Sequence, residues 1–265
     1  MPDARPLDRV RFAHMRRRRT PRLPGHDDLA PRARRGRRGL VLAPRGGAAA
    51  GAGDEPIAVD LPADDPDAGV PRYVEVALEA LGGRPDPVVV GQSLGGQTAV
   101  EICRRIPVAR LVLVNAMIPA VGETPGQWWT GSGHAAAKEA AGRAAGREDA
   151  GFDPEWEFLH DVPAEVVAAG AEHQREQSGG PFADGWSLPA WPDVPVTVVV
   201  GRDDRFFPPD FQIGLARARA GVEPVLVPGG HLPALAHPEA LIRNGLDTPG
   251  HTRAQGAGGA SPLAQ

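Results

Sequence analysis

Three kinds of side chain with acid–base or nucleophilic chemistry, a serine, an acid and a histidine, stand directly after short apolar runs in this chain. Ser93 lies in Gly91-Gln92-Ser93-Leu94-Gly95-Gly96, behind Val88-Val89-Val90; Asp203 and Asp204 follow Val196 to Gly201; His231 closes Pro228-Gly229-Gly230-His231, behind Val225-Leu226-Val227. A serine hydroxyl is a weak nucleophile, an imidazole can take its proton and return it, and a carboxylate can fix the imidazole's tautomer and stabilise its cation. The G-x-S-x-G spacing predicts a tight, strained turn from strand to helix that lifts the serine out of the sheet, its glycines letting the two backbones approach. Such a turn leaves the Leu94 N–H at a helix N-terminus, where a developing oxyanion is stabilised by that N–H and by the helix dipole. The plainer reading is a turn whose serine only caps the helix. The acid and the histidine in the same register weigh against it.

These groups need a scaffold that brings three strand ends together. Ile57-Ala58-Val59-Asp60-Leu61, Val88 to Val90, Arg110 to Val114, Val196 to Val200 and Val225 to Val227 read as strands. Tyr73, Val76, Ala77, Ala80 and Leu81, then Gln97 to Ile106, read as helices between them. Strands of unbroken β-branched residues alternating with helices predict an α/β fold with a mostly parallel central sheet and helices on both faces. Ligands of such sheets bind at the C-terminal edge of the strands, where Ser93, Asp203 or Asp204, and His231 would meet.

The alternation breaks over residues 119–192. That stretch holds all five tryptophans, Trp128, Trp129, Trp156, Trp186 and Trp191, with helical pieces at Ala135 to Arg147 and Val162 to Gln174. It predicts a helical cap over the sheet edge, with Trp128, Trp129 and Phe158 lining an apolar substrate pocket. The rival reading is that some of these rings pack only within the cap.

The expected organisation is therefore an atypical segment at 1–53, an α/β core at 54–118 and 193–247, the cap at 119–192, and a disordered Gly/Ala/Gln tail at 248–265. Residues 1–45 carry fourteen Arg against Asp3, Asp8, Asp27 and Asp28, a net +10 in a chain whose total is −4. The rest is therefore acidic, and nucleic-acid binding does not follow from the whole chain. Three readings of 1–53 compete: a basic arm, a disordered tail, and a shifted reading frame, which a GC-rich gene would translate mainly as Arg, Ala, Gly and Pro. A chain with 28 Arg and only Lys138 has such a gene. The single cysteine, Cys103, excludes an intramolecular disulfide and a Cys-based zinc site, and its helical spacing points to packing. No apolar run is long enough to span a membrane and no signal peptide is legible, so a cytoplasmic protein is expected. Neither a metal nor a cofactor is implied, and the expected partner is a small-molecule ester, with no nucleic acid or membrane.

From Pro56 to Leu246 the chain resembles the α/β-hydrolase superfamily. G-Q-S-L-G-G is similar to its nucleophile elbow, G-R-D-D-R-F-F-P to its acid loop, and P-G-G-H-L-P-A-L-A-H-P-E-A to its histidine loop. The resemblance implies Ser93 as nucleophile, His231 as base, and Asp204, three residues after the glycine ending its strand, as acid; Asp203 is the lesser candidate. Glu123 to Trp129 and Phe158-Leu159-His160-Asp161-Val162-Pro163 look like the branch that includes plant-type methylesterases and hydroxynitrile lyases. His160, His173 and His237 have no catalytic context and read as surface or core residues.

One departure stands out. The superfamily places a strand and a Gly-containing loop ahead of the Ile57 strand, and that loop supplies a second oxyanion N–H. The nearest match is Leu40 to Ala43 followed by Pro44-Arg45-Gly46-Gly47, which makes Gly46 the candidate donor. Between Gly47 and Pro56 only eight residues remain, too few for a crossover helix of about ten to twelve. Leu40 to Ala43 is expected in a central position between the Ile57 and Val88 strands, with Arg45 or Gly46 near Ser93.

Overall fold

A computed structural model of the chain describes residues 41–44 as backbone, and 56–147, 151–171, 175–246 and 250 in full. Its centre is a six-stranded sheet in the order β2-β1-β3-β4-β5-β6. The strands are β1 (Val41–Pro44), β2 (Ile57–Ala58), β3 (Pro87–Gln92), β4 (Arg110–Val114), β5 (Val196–Gly201) and β6 (Val225–Val227). β3 to β6 are mutually parallel neighbours. Every residue of β4 and β5 is buried, as a sheet covered on both faces requires. Along β4, Leu111 and Leu113 face one apolar layer while Val112 and Val114 face the other, the period-two alternation of a strand.

On the first face lie α1 (Val70–Leu81) and α2 (Gly95–Arg105). Helix α1 buries Val70, Tyr73, Val74, Ala77 and Leu81 and stops at Gly82, whose left-handed φ of 62° lets its N–H reach Leu78 O. Helix α2 buries Gly96 through Cys103. Burial pushes the Cys103 thiol up to about 12, so it stays protonated and inert. The second face is closed by Leu241, in the wide turn Leu241–Leu246 that follows α9 (Pro238–Ala240).

Between β4 and β5 the chain forms α3 (Pro125–Gly131), α4 (His134–Ala144), a wide turn at Glu155–Leu159, α5 (Ala164–Gly170) and α6 (Gly180–Ala183). All four helices lie within residues 119–192. Thr124 starts α3 with a reciprocal cap, its Oγ1 accepting from Gln127 N while its own N–H donates to Gln127 Oε1. At the root of the cap, Arg219 donates to Glu123 and to Ile118 O, and Trp128 Nε1 donates to Ile118 O at 3.0 Å. After β5 come α7 (Pro209–Leu215) and, past β6, α8 (Pro233–Ala236).

β1 lies where a central strand was expected, one residue later in sequence. Its direction is reversed: it is antiparallel to both β2 and β3, with Val41 opposite Val90 and Pro44 opposite Pro87. Twelve residues, 45–56, separate β1 from β2, the lower limit for the crossover that a parallel neighbour needs, whereas an antiparallel one needs only a return. The sheet is thus mostly parallel with β1 inverted, and Pro44 lies at the edge remote from Ser93. Gly46 and Arg45 lie outside the described residues, as do most of 1–53 and the tail beyond Gly250. Among the described residues no helix is long and apolar enough to cross a membrane.

Candidate active site

Four adjacent parallel strands each deliver one polar side chain to the same edge: Ser93 after β3, Asn115 after β4, Asp204 after β5 and His231 after β6. Ser93 sits at a left-handed φ of 52°, a conformation uncommon for a residue with a side chain. The turn is held by Ser93 N–H toward Val114 O and Asn115 O, and by Ser93 O accepting from Gly96 N and Met117 N. A Cβ on Gly91 would stand 2.6 Å from Ala99 Cβ and 2.7 Å from Gly95 O, and one on Gly96 would stand 2.9 Å from Ala116 Cβ. A Cβ on Gly95 meets nothing within 4 Å. The close approach predicted for the motif's flanking glycines thus belongs to Gly91 and Gly96, not to Gly95. Leu94 N–H, at the start of α2, has no acceptor among the described residues.

His231 Nε2 lies 3.1 Å from Ser93 Oγ, and His231 Nδ1 lies 2.9 Å from Asp204 Oδ2. A carboxylate only accepts, so Nδ1 carries the proton and Nε2 presents its lone pair to the serine hydroxyl. The other Asp204 oxygen accepts from Phe206 N and Phe207 N, both at 2.9 Å. Asp204 and His231 are almost fully buried, 3% and 2% exposed, while Ser93 is half-buried. Phe158 stacks on the imidazole at 5.0 Å, and Phe206 and Phe207 meet it edge-on. In such an apolar box the charges act with little screening. Asp203 does not touch the imidazole. Its carboxylate accepts from Gly229 N at 3.2 Å, and its own N–H donates to Gly229 O.

The loop that carries His231 is held by residues with no motif of their own. Asn115, fully buried at a φ of 41°, donates to Gly230 O and His231 O and accepts from Gly201 N. Gln92 Nε2 donates to His231 O at 2.8 Å. Asp161 Oδ2 accepts from Gly230 N at 2.6 Å, and His160 and His237 flank that carboxylate. His160 and His237 therefore border the histidine loop, a context that their sequence surroundings did not show; His173 is outside the described residues. The one legible signal for Asn115 was a lone amide ending an otherwise apolar strand, a residue type suited to positive φ.

Of the three rings expected to line a substrate pocket, Phe158 lies against His231. Trp128 is wholly buried among Trp129, His134, Phe207 and Phe211, and its N–H donates to Ile118 O at the cap root. Trp129 borders a cavity of about 870 Å³ between α4 and the acid loop. That cavity is walled by Lys138, Glu157, Arg147 and Arg205 as well as by Trp129 and Trp156, and Ser93 is not in its lining, so it is not the apolar pocket that was expected over the serine. Burial holds the Glu157 carboxyl above its ordinary value, with the Lys138 ammonium 2.7 Å away opposing the shift.

A mostly parallel sheet carrying serine, acid and histidine in that chain order at its C-terminal edge defines an α/β-fold hydrolase. The chain belongs to the alpha/beta hydrolase family, whose model matches residues 4–244. Among solved structures it is similar to a pyrethroid hydrolase from Sphingobium faniae JZ-2, at 22% identity and a TM-score of 0.53 over 70% of this chain and 82% of that one. It is also similar to a polyneuridine aldehyde esterase, at 15% identity and a TM-score of 0.49 over 70% and 84% of the two chains. No curated protein sequence matches the chain.

Proposed function

We propose that the protein is a serine hydrolase cleaving a small, largely apolar carboxylic ester through an acyl-enzyme. The observation that carries this reading is the unbroken line Asp204 Oδ2, His231 Nδ1, His231 Nε2, Ser93 Oγ. His231 takes the Ser93 proton as Oγ attacks the ester carbonyl, and Asp204 stabilises the imidazolium that forms. The carbonyl oxygen turns toward Leu94 N–H as it gains charge. His231 then protonates the leaving alkoxide, and water repeats the sequence to release the acid. Phe158 and the other rings around the imidazole favour an apolar acyl or alcohol group. Relatives of this fold that cleave C–C or C–CN bonds use the same three residues, so the substrate class rests on assay.

The test is a rapid-mix experiment with a short-chain p-nitrophenyl ester. A burst equal to the enzyme concentration is expected, and Ser93→Ala should abolish both burst and turnover while leaving the fold intact. Turnover by Ser93→Ala within tenfold of the parent would remove Ser93 as nucleophile. The inverted β1 favours a second reading, an impaired homologue that binds the ester but lacks a second oxyanion donor. Loss of one such donor lowers the rate by roughly 10²- to 10³-fold. A slow but stoichiometric burst marks the impaired enzyme, and no burst at all marks a binding protein.

A further inference from the structure

The cap segment Phe158 to Pro163 is not accounted for by the triad, yet it touches the histidine loop twice. The Phe158 ring lies on the His231 imidazole, and three residues on, Asp161 Oδ2 accepts from the N–H of Gly230, the residue immediately before His231. The fit leaves no slack. A Cβ on Gly230 would stand 2.5 Å from His160 Cε1 and 3.1 Å from Asp161 Oδ1, and one on Gly229 would stand 3.0 Å from Asp161 Oδ2. Asp161 has no Arg or Lys partner among the described residues; His160 Nε2 at 4.0 Å and His237 Nε2 at 3.8 Å are its only ionisable neighbours. Nor does it cap α5, whose start at Pro163 has no side-chain cap.

We propose that Asp161 is a positioning residue: by holding Gly230 N–H from the cap, it keeps His231 Nε2 on Ser93 and makes the cap part of the triad's geometry. The loop is gripped from two sides. Asn115 and Gln92, on the sheet, hold the carbonyls of Gly230 and His231, while Asp161, on the cap, holds the amide between them and Gly229. With the cap grip gone, the loop keeps its sheet-side bonds to Asn115, Gln92 and Asp203 but loses the one at the Gly230 N–H directly before the histidine, and the imidazole can swing away from Ser93 Oγ. A displacement of about 1 Å at a reacting group can lower the rate by about 100-fold. The inference rests on Ser93 and His231 acting as nucleophile and base.

The test compares ester kinetics and fluorophosphonate labelling of Ser93 in the parent, Asp161→Ala, Asp161→Asn and Asp153→Ala. Asp153 lies in the cap, paired with Arg147 and away from the histidine loop. Asp161→Ala should lower kcat and the labelling rate by about 10- to 100-fold with KM within about threefold. Asp161→Asn keeps an oxygen acceptor and should recover most of the rate, and Asp153→Ala should match the parent. Parental kcat in a folded Asp161→Ala, or a raised KM with kcat unchanged, overturns the proposal. Should Asp161→Ala fail to fold, the parent's Gly230 amide proton decides by nuclear magnetic resonance. A strongly downfield, slowly exchanging proton supports the bond, and one at its random-coil position overturns it. Loss of activity in Ser93→Ala beside full activity in Asp161→Ala defeats this inference alone. A parent that neither turns over ester nor takes the label defeats the catalytic reading and this inference with it.

Discussion

At the scale of the residue, two neighbouring acids separate by what each oxygen touches. Asp204→Asn leaves the imidazole without a carboxylate and should lower kcat by roughly 10³- to 10⁴-fold, as a wrong tautomer becomes the stable one. Asp203→Asn keeps an acceptor for Gly229 N and should stay within about tenfold; the reverse ranking in steady-state kinetics would move the acid to Asp203. Asn115 makes a sharper case. Asp tolerates its left-handed backbone nearly as well, so Asn115→Asp isolates the loss of the two donors that hold Gly230 O and His231 O. Gly230 O then loses the Asn115 donor and His231 O keeps only Gln92, both facing a carboxylate, which should cost about 1–3 kcal/mol in a denaturant titration and lower ester turnover with it. Unchanged stability would show that Gly230 O has another donor. Ser93, Asp204 and His231 were legible because each follows a strand and carries reactive chemistry. Asn115, Gln92 and Asp161 were not, because their work is hydrogen bonding to a backbone 69 to 139 residues away, which no local spacing records.

At the scale of the element, the turn around Ser93 and the start of the cap each give a measurable contrast. Gly91→Ala drives a methyl into Ala99 and the Gly95 carbonyl and should destabilise the protein by about 1–3 kcal/mol or more, whereas Gly95→Ala meets open space and should be neutral or slightly stabilising. Equal effects in thermal melts would mean that the strand and helix are not as close as described. Helix α4 opens with His134, buried with Nε2 on Phe206 O at 2.8 Å. Burial pulls its imidazole down to about 4 from an ordinary 6.5. Between those pH values the unfolded chain binds the proton and the folded one does not, so stability falls as pH drops through the window, by up to about 3 kcal/mol. Glu157, raised by burial, contributes with the opposite sign, but it does so in any variant that retains it. In His134→Gln the slope of stability against pH between 6.5 and 4 should flatten; an unchanged slope would place the acid sensitivity elsewhere. Of the four helices between β4 and β5, α4 and α5 were legible from spacing, while α3 and α6, seven and four residues long, are too short to show a period. That Trp128 serves the cap root rather than a pocket was not legible, since an apolar ring reads the same whichever surface it covers.

At the scale of the whole molecule, the place of β1 between the Ile57 and Val88 strands was legible and its direction was not. Hydrophobic runs identify β1 through β6, but direction depends on the length and content of the link between β1 and β2, where the Gly- and Ala-rich sequence carries no helical period. The inverted β1 leaves Pro44 opposite Pro87, so the strand that should end beside Ser93 begins there instead. A shifted reading frame would account together for the Arg-, Ala-, Gly- and Pro-rich composition up to about residue 53, the onset of regular α/β pattern at Pro56 and this inversion; a native basic arm would account only for the first. We expect the DNA upstream of the Pro56 codon, translated in another frame, to encode an apolar strand, a Gly-rich or His-Gly loop and an amphipathic helix. A chain expressed in that frame should pair β1 parallel to β3, supply a second donor near Ser93, and hydrolyse the p-nitrophenyl ester roughly 10²- to 10³-fold faster than the present chain. It should also be more stable, because a central strand with its crossover helix buries several core side chains at about 2–5 kcal/mol each against a total of about 5–15. Stops in both other frames, or a reframed chain no faster and no more stable, would establish the basic segment as native and leave the inverted strand as this protein's own solution to closing its sheet.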